Sequence, residues 1–267
     1  MPQPRVVALY RYPVKGFTPE PCEALTIVGD RVAGDRVLGV LLGDAGEPRA
    51  TVAGGEWWSK HQMVALVNTP GLARLSLRYD DARQHLSLSV DGHLLVEAGL
   101  DDHGRARFAE AVAAVVRTLP ESVDLDRPGR LPLRLVGDGV TPRFQDRQGG
   151  FVTAHGRASL EALGVALADP GLDERRFRSN IVIEGLDAWA EHGWSGQVRI
   201  GGATFEVGKP VVRCVATHAN PEDGVRDREV MTTLVRAFGQ AEPQFGVLLT
   251  PADEGTIRLG DPVEVVA

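Results

Sequence analysis

Residues 85–99, HLSLSVDGHLLVEAG, alternate apolar and polar side chains on both sides of the Asp-Gly dipeptide at 91–92. Leu86, Leu88 and Val90 fall on one face of an extended chain, because successive side chains of a strand point to opposite faces. Asp-Gly is also a dipeptide that closes two-residue hairpins. The stretch therefore predicts a β-hairpin with one buried face.

The same two-residue period recurs along the rest of the chain. A second hairpin is predicted over residues 198–207, around the Gly-Gly dipeptide at 201–202. Further strands are predicted at 5–10, 37–42, 74–79, 132–136, 180–184 and 245–250, and the C-terminal stretch bends at Asp261-Pro262. Helical spacing occurs at 103–119, after Ser159 as an N-cap, and at 228–238. The fold class is therefore α+β and mainly β, with a few covering helices.

The length and the break points predict two subdomains. A chain of 267 residues can bury one large core or two smaller ones. Residues 119–132 are rich in proline and polar side chains and have no apolar period, so we place a boundary there. We expect a smaller, β-barrel-like N-terminal subdomain at 1–120 and a larger barrel at 121–267.

The charge balance excludes broad binding to nucleic acid. The chain has 29 Lys and Arg against 36 Asp and Glu, a net charge of -7, and no basic run. Nucleic-acid binders need basic stripes that neutralise phosphates. An anionic ligand would therefore have to meet a local cationic pocket.

The apolar runs and the cysteines indicate a cytoplasmic protein without a membrane segment. No stretch approaches the roughly 18 apolar residues of a membrane span, and the N-terminus lacks a secretory signal. Cys22 and Cys214 are the only cysteines and lie nearly the whole chain apart, so no disulfide framework is expected.

Three arginines precede the strand that begins at Asn180. Arg175, Arg176 and Arg178 could bind phosphate bidentately, and the Asn amide could hydrogen-bond a ring edge. Composition alone favours a solvated basic loop for the same residues.

Two short stretches near the N-terminus also carry candidate residues. In YPVKG at 12–16, Lys15 follows a strand, and Gly16 lets the backbone approach a ligand closely. GDR at 34–36 is most simply a turn before a strand, and a lysine at a strand end is usually just exposed.

Cys214 ends the apolar run PVVRC at 210–214. A structural cysteine there would be a small buried hydrophobe. The adjacent cation of Arg213 instead favours the thiolate, the form that nucleophiles and soft-metal ligands require. His218 leaves two further alternatives open. It could be the base of a cysteine hydrolase, or half of a zinc site that would need two more ligands.

Eight stretches in order carry a family resemblance: YPVKG, GDR, RFRSNIVIEG, WAEHGWSGQVRIG, PVVRC, THANPEDG, FGV and GTIRLGDPVEVV. The set resembles the landmarks of MOSC-domain proteins with a MOSC N-terminal β-barrel. That family is related to the C-terminal domain of molybdenum cofactor sulfurase and to the mitochondrial amidoxime-reducing component. The resemblance covers nearly the whole chain and makes residues 1–120 the N-terminal barrel and 121–267 the MOSC domain.

The resemblance implies a molybdenum-pterin cofactor, and not pyridoxal phosphate, in a positive cleft between the subdomains. Cys214 would be the catalytic residue and would give a thiolate ligand to molybdenum. The residues implied to hold the cofactor are Lys15, Gly16 and Arg36 from the N-terminal side, Arg178, Ser179 and Asn180 from the barrel, and Arg213 beside the thiolate. Gly16 stands where a serine is common, so only its backbone N–H could serve there.

The implied activity is reduction of N-hydroxylated or other N-oxygenated compounds at molybdenum. Two cysteines cannot bind an iron–sulfur cluster that needs four, so electrons would come from a separate ferredoxin- or flavin-type reductase. Two alternatives remain open: a sulfur or molybdenum-cofactor carrier with a persulfide on Cys214, and a cofactor-free hydrolase that uses Cys214 and His218.

Overall fold

The computed structural model describes residues 3–50, 56–141, 144–146 and 151–266. Within these ranges the strands, in chain order, are β1 (Arg5–Arg11), β2 (Glu20–Pro21), β3 (Ala24–Val28), β4 (Arg31–Val32), β5 (Gly39–Leu41), β6 (Arg49–Ala50), β7 (Glu56–Trp57), β8 (Leu75–Asp80), β9 (His85–Val90), β10 (His93–Gly99), β11 (Arg134–Val136), β12 (Val152–Gly156), β13 (Ile181–Glu184), β14 (Gln197–Ile200), β15 (Ala203–Val212), β16 (Gln244–Pro251), β17 (Gly255–Arg258) and β18 (Val263–Val266). The α-helices in the same ranges are α1 (Asp102–Val116), α2 (Arg157–Ala166) and α3 (Val230–Phe238). Short 3₁₀ turns occur at Lys60–Gln62, Pro70–Arg74, Glu174–Phe177, Ala190–Gly193 and Val215–His218.

Eight of the described strands form one curled sheet, in the order β18-β14-β15-β16-β12-β13-β1-β2. The sheet is antiparallel except where β12 runs parallel to β13. Its inner face buries a core that includes Val6, Ile181, Phe205 and Val247. The mainly β fold class is therefore confirmed.

A second core lies beside this sheet, among β8, β9, β10 and α1. In β8 the buried residues Leu75, Leu77 and Tyr79 alternate with exposed ones, as the two-residue period predicts. The predicted hairpin forms between β9 and β10, and its two turn residues, Asp91 and Gly92, have φ of 47° and 80°. Such left-handed values at both central residues suit the right-handed twist of paired strands.

The cores do not divide the sequence at residue 120. Strand β1 pairs antiparallel with β13 in the large sheet, although β1 lies at the start of the chain. Leu125, Leu133 and Leu135 pack in the second core together with residues before 120. The division near residue 120 stays a prediction, and the pairing of β1 with β13 shows that strands distant in sequence join the same sheet.

The three described helices form near the predicted positions, but α2 begins earlier than predicted. Helix α1 buries Phe108, Val112 and Val116 on one side and is capped by Asp101, which accepts from the Gly104 N–H at 2.9 Å. Ser159 is wrong as an N-cap, because α2 already begins at Arg157. Its hydroxyl instead donates to the buried carboxylate of Glu191.

No described helix is both long and apolar enough to cross a membrane.

A loop from the C-terminal half packs against the N-terminal half. The Arg226 guanidinium donates to the Glu121 carboxylate at 2.7 Å, to the Val215 carbonyl at 2.7 Å and to the Val67 carbonyl at 3.1 Å. Two residues earlier, Gly224 has φ of 74° and would place a Cβ only 2.5 Å from the Gly71 Cα. Glycine is therefore required at 224 by both conformation and contact.

Gly224→Ala is expected to lower the free energy of unfolding by about 2–5 kcal/mol, because left-handed strain and overpacking add. Gly92→Ala is the matched control, since Gly92 also has positive φ but a Cβ there would have no atom within 4 Å. That control is expected to cost only about 1–2 kcal/mol. Urea unfolding followed by tryptophan fluorescence measures both, and equal losses would contradict a tight contact at Gly224.

Candidate active site

A cleft lies between the two cores and is lined from both sides. Lys15, Gly16 and Arg36 line it from the N-terminal half. Arg178, Arg213 and Cys214 line it from the half that carries β12 to β18. The structure therefore brings together six of the eight residues that the sequence put forward for the site.

Tyr12 organises the cationic part of the cleft. Its fully buried ring has the Arg36 guanidinium 4.8 Å and the Arg178 guanidinium 4.2 Å from its centroid. Both arginines have left-handed backbone, with φ of 53° and 52°. Arg36 donates to the Asp35 carboxylate and, at 3.2 Å, to the Arg178 carbonyl, while Arg178 donates to the carbonyl of Phe17.

Arg213 is held by backbone oxygens. Its Nε and Nη2 donate to the Phe245 carbonyl at 2.9 and 2.6 Å, and Nη1 donates to the Phe177 carbonyl at 2.7 Å. The guanidinium also lies over the rings of Phe177 and Phe245, at 5.6 and 5.9 Å from their centroids. Burial lowers the pKa of Arg178 and of Arg213 to about 10, so both remain cations at neutral pH.

Arg178 and Arg213 have no direct carboxylate counter-ion among the described residues, whereas Arg36 pairs with Asp35. Half-buried cations without a counter-ion favour an anion at the same place. The cleft can therefore bind a phosphate-type group in a protein whose overall charge is negative.

Lys15 has a counter-ion from the protein itself. Its side chain is 5% exposed, and its ammonium donates to the Phe144 carbonyl at 2.7 Å and to the Asp146 carboxylate at 2.5 Å. Burial lowers the pKa of Lys15. Although burial acts in the opposite direction on Asp146, the Lys15 ammonium holds the pKa of that carboxyl well below its usual range.

Gly16 is where two backbone segments approach closely. Its φ is 82°, and a Cβ there would lie 2.7 Å from the Ala65 Cα. A side chain at 16 would therefore collide with the N-terminal wall. This gives a steric reason for glycine where the resembling family often has serine.

Cys214 stands at the end of β15, where the 3₁₀ turn Val215–His218 begins. Its carbonyl accepts from the Thr217 hydroxyl at 2.9 Å, and its thiol is free and half-buried in the cleft wall. The preceding residue, Arg213, lines the same wall. The Cys214 thiol and the Arg213 guanidinium therefore face the same cleft.

His218 does not line the cleft. Its Nε2 accepts from the Met231 N–H at 3.3 Å, and burial lowers the pKa of the imidazole. No hydrogen bond joins His218 to Cys214 among the described contacts, so the nucleophile–base pair considered from the sequence is not assembled here. Nor do three His, Cys, Asp or Glu side chains of the described residues converge as metal ligands, so the zinc alternative lacks partners.

Ser179 and Asn180 lie behind the cleft wall. The fully buried Asn180 amide donates to the Tyr10 carbonyl at 3.1 Å and accepts from the Thr153 N–H at 3.2 Å. It therefore joins the β1, β12 and β13 segments. The Ser179 carbonyl accepts from the Tyr12 hydroxyl at 3.2 Å, while the buried Ser179 hydroxyl has no partner in the described residues. Direct cofactor contact by either side chain stays a prediction.

The sequence analysis missed Tyr12 and Asp146, and it counted Arg176 among three candidate phosphate-binding arginines. Tyr12 belongs to the quoted stretch YPVKG, but only the lysine and glycine were considered. Asp146 gave no motif of its own. Arg176 belonged to the basic stretch, and its side chain is buried between the Asp227 carboxylate at 2.7 Å and the His218 carbonyl at 3.0 Å.

Asp146→Asn is expected to raise the affinity for inorganic phosphate by about three- to tenfold, at most about 1.4 kcal/mol, because the carboxylate competes with phosphate for Lys15. Without that carboxylate the pKa of Lys15 falls further, so Lys15 loses its proton at a lower pH. The gain in phosphate affinity is therefore lost at a lower pH than phosphate binding by the wild type. Calorimetric titration between pH 6 and 9 measures both effects. Asp81→Asn removes a carboxylate that pairs with Arg11 and not with the cleft lysine, and is the control. Weaker phosphate binding in Asp146→Asn would show that Asp146 supports the anion.

Comparison with known proteins identifies the C-terminal part of the chain. Residues 146–264 match the family model of the MOSC domain. Mitochondrial amidoxime-reducing component 1 of Mus musculus is 32% identical over 116 residues, which are 40% of this chain and 34% of that protein. Molybdenum cofactor sulfurase 2 of Culex quinquefasciatus is 33% identical over 98 residues, which are 34% of this chain and 13% of that protein. The matches thus span about a third or less of these curated relatives.

Among solved structures, the YUAD protein from Bacillus subtilis aligns with 98% of this chain and 94% of its own, with a TM-score of 0.42 and 8% sequence identity. The family match begins at Asp146, the counter-ion of Lys15, and includes Arg178, Arg213 and Cys214. Strands β12 to β16 of the curled sheet and one wall of the cleft lie in this matched segment, whereas β1 and β2 of the same sheet precede it. The resemblance to MOSC-domain proteins is thus confirmed over residues 146–264, which match the model of that domain.

Proposed function

We propose that this protein binds a molybdenum-pterin cofactor in the cleft and reduces N-hydroxylated compounds with electrons from a separate protein. The single observation that carries the proposal is the pair of half-buried guanidiniums, Arg178 and Arg213, without carboxylate partners in the described residues, beside the free thiol of Cys214. Similarity to amidoxime-reducing components over part of the chain supports the substrate class.

The residues of the cleft fit such a cofactor. Its phosphate and pterin would meet the cations Lys15, Arg36, Arg178 and Arg213, and the Gly16 N–H would be a backbone donor on the same side as Lys15. The Cys214 thiolate would be the protein ligand of the metal. When bound, the cofactor supplies a two-electron redox centre that cleaves N–O bonds, while the protein supplies orientation and surrounding charge.

The apolar side of the cleft would hold the organic part of the substrate. Phe151, Val211, Val212 and Leu248 line it, and they displace water from the reacting N–O group. The balanced reaction is R–NHOH + 2 e⁻ + 2 H⁺ → R–NH₂ + H₂O. Both electrons come from the partner, which we propose to be a ferredoxin- or flavin-type reductase, because two cysteines cannot bind a four-cysteine cluster. A cytoplasmic location is part of the same proposal.

Metal analysis and turnover test this function together. Protein freshly purified from a cofactor-competent host is expected to contain nearly one molybdenum per chain and, once chemically reduced, to convert an N-hydroxylated amidine to the amidine. Molybdenum without turnover of any N-hydroxylated substrate would contradict the reductase and leave the carrier. Absence of molybdenum together with ester hydrolysis that depends on His218 would leave the hydrolase.

A further inference from the structure

The Tyr12 side chain is the point where the two walls of the cationic cleft meet. The backbone N–H of Tyr12 donates to the Asp35 carboxylate at 2.7 Å, and its carbonyl accepts from the Arg36 N–H at 2.8 Å. Its hydroxyl reaches across to the Ser179 carbonyl at 3.2 Å, next to Arg178. A single residue is therefore bonded to both segments that carry the two arginines.

The ring itself faces both cations. Arg36 and Arg178 lie 4.8 and 4.2 Å from its centroid, and burial raises the pKa of the phenol although each guanidinium lowers it. Two like charges beside one ring repel each other, and after burial Arg36 is the next cause of the lowered pKa of Arg178. The negative face of an aromatic ring offsets this repulsion by attracting both guanidiniums. An aliphatic side chain of the same size has no such quadrupole.

The left-handed backbone of Arg36 and Arg178 points to the same constraint. Non-glycine residues with positive φ carry strain and persist where the surrounding contacts over-determine them. Here the contacts are the Tyr12 ring, the bond from Arg36 to the Arg178 carbonyl, and the bond from Arg178 to the Phe17 carbonyl. The strained backbone therefore occurs at Arg36 and Arg178, the two residues whose guanidiniums share the Tyr12 ring.

We propose that Tyr12 is a positioning residue, whose ring holds Arg36 and Arg178 at the spacing that fits a phosphate-type anion. The inference rests on the proposed function for the identity of the ligand, the phosphate of the cofactor. The Tyr12 hydroxyl is bonded to a backbone carbonyl and is fully buried, so it contacts no substrate and donates no proton in the reaction.

Three variants of the full chain, made without cofactor, test the role of the ring by calorimetric titration with inorganic phosphate. Tyr12→Leu is expected to weaken binding by more than about tenfold, whereas Tyr12→Phe, which keeps the ring, stays within about threefold of wild type. Tyr12→Met is the second ring-free variant, in case Tyr12→Leu does not fold. The same variants, purified from a cofactor-competent host, are expected to lose bound pterin in the same order.

The matched control is Tyr79→Leu. Tyr79 is also buried, and its hydroxyl donates to the Gly139 carbonyl at 3.0 Å, but the cations over the Tyr12 ring, Arg36 and Arg178, do not lie over its ring. This variant is expected to lose stability without a change in phosphate affinity. Equal affinity in Tyr12→Leu and Tyr79→Leu, or equal loss in Tyr12→Phe and the ring-free variants, would overturn the proposal. Wild type without molybdenum, but with Tyr12-dependent phosphate binding, would refute the proposed function and leave this inference standing.

Discussion

Cys214→Ala is expected to abolish reduction of N-hydroxylated substrates, by at least about 100-fold, while most of the pterin stays bound. The thiol is the one soft ligand in the described cleft wall, but the phosphate and pterin would be held by cations that the change leaves in place. Parallel assays of molybdenum, released pterin and turnover on the same preparation measure this split. Loss of the metal centre with retained pterin is the expected result.

Cys22→Ala is the control for that experiment. Cys22 is the other free, half-buried cysteine, and it lines a different cleft together with Arg11 and Glu20. It is expected to leave turnover unchanged. If Cys214→Ala kept full activity, the thiolate would have no part in the reaction. If His218→Ala were as damaging as Cys214→Ala, the hydrolase would replace the reductase as the better account.

Arg178→Met is expected to weaken cofactor and phosphate binding by about 100-fold or more, since removal of one charge from a desolvated pair costs about 2–5 kcal/mol. The folded protein without ligand is expected to lose no stability, to within about 1 kcal/mol, because a poorly balanced charge is replaced by an apolar group. Binding and stability therefore respond differently to one change. Phosphate titration and urea unfolding of the same samples measure the two.

Arg83→Met is the matched control for the loss of a positive charge, because the Arg83 side chain is 83% exposed and Arg83 does not line the cleft. Its phosphate affinity is expected to equal that of the wild type. A parallel decrease in Arg83→Met would mean that overall charge, and not the cleft, governs anion binding. A large loss of stability in Arg178→Met would mean that the guanidinium serves the fold.

The strands were predictable because their signal is local. Period-two alternation and the Asp-Gly dipeptide place β9 and β10 correctly, and the observed turn has the backbone that this dipeptide favours. The pairing of β1 with β13 was not predictable in this way, since nothing in either segment names its distant partner. The local sequence likewise predicted Ser159 as an N-cap. Its hydroxyl instead donates to the carboxylate of Glu191, 32 residues later in the chain.

The site was predictable only where chemistry and family pattern coincide. Lys15, Arg36, Arg178, Arg213 and Cys214 are polar or reactive residues in resembling stretches, and the structure gathers them in one cleft. Asn180 is also a polar residue in a resembling stretch, yet its side-chain amide is hydrogen-bonded to the backbone of Tyr10 and Thr153. Tyr12 is the reverse case. The sequence predicts an aromatic residue at a strand end to be a core residue, and only the structure shows that two arginines lie over its ring.

The pairing of β1 with β13 limits how a large ligand reaches the cleft. Tyr12 and Lys15 follow β1 directly, and the Tyr10 N–H donates to the Asn180 carbonyl at 2.8 Å, next to Arg178. The two walls are thus joined by backbone hydrogen bonds between β1 and β13, with one irregularity between Val6 and Ala8, and these bonds oppose separation of the walls. We therefore expect a small anion to enter the cleft more readily than the large cofactor of the proposed function. Replacement of a lost cofactor in the mature protein should then be slow.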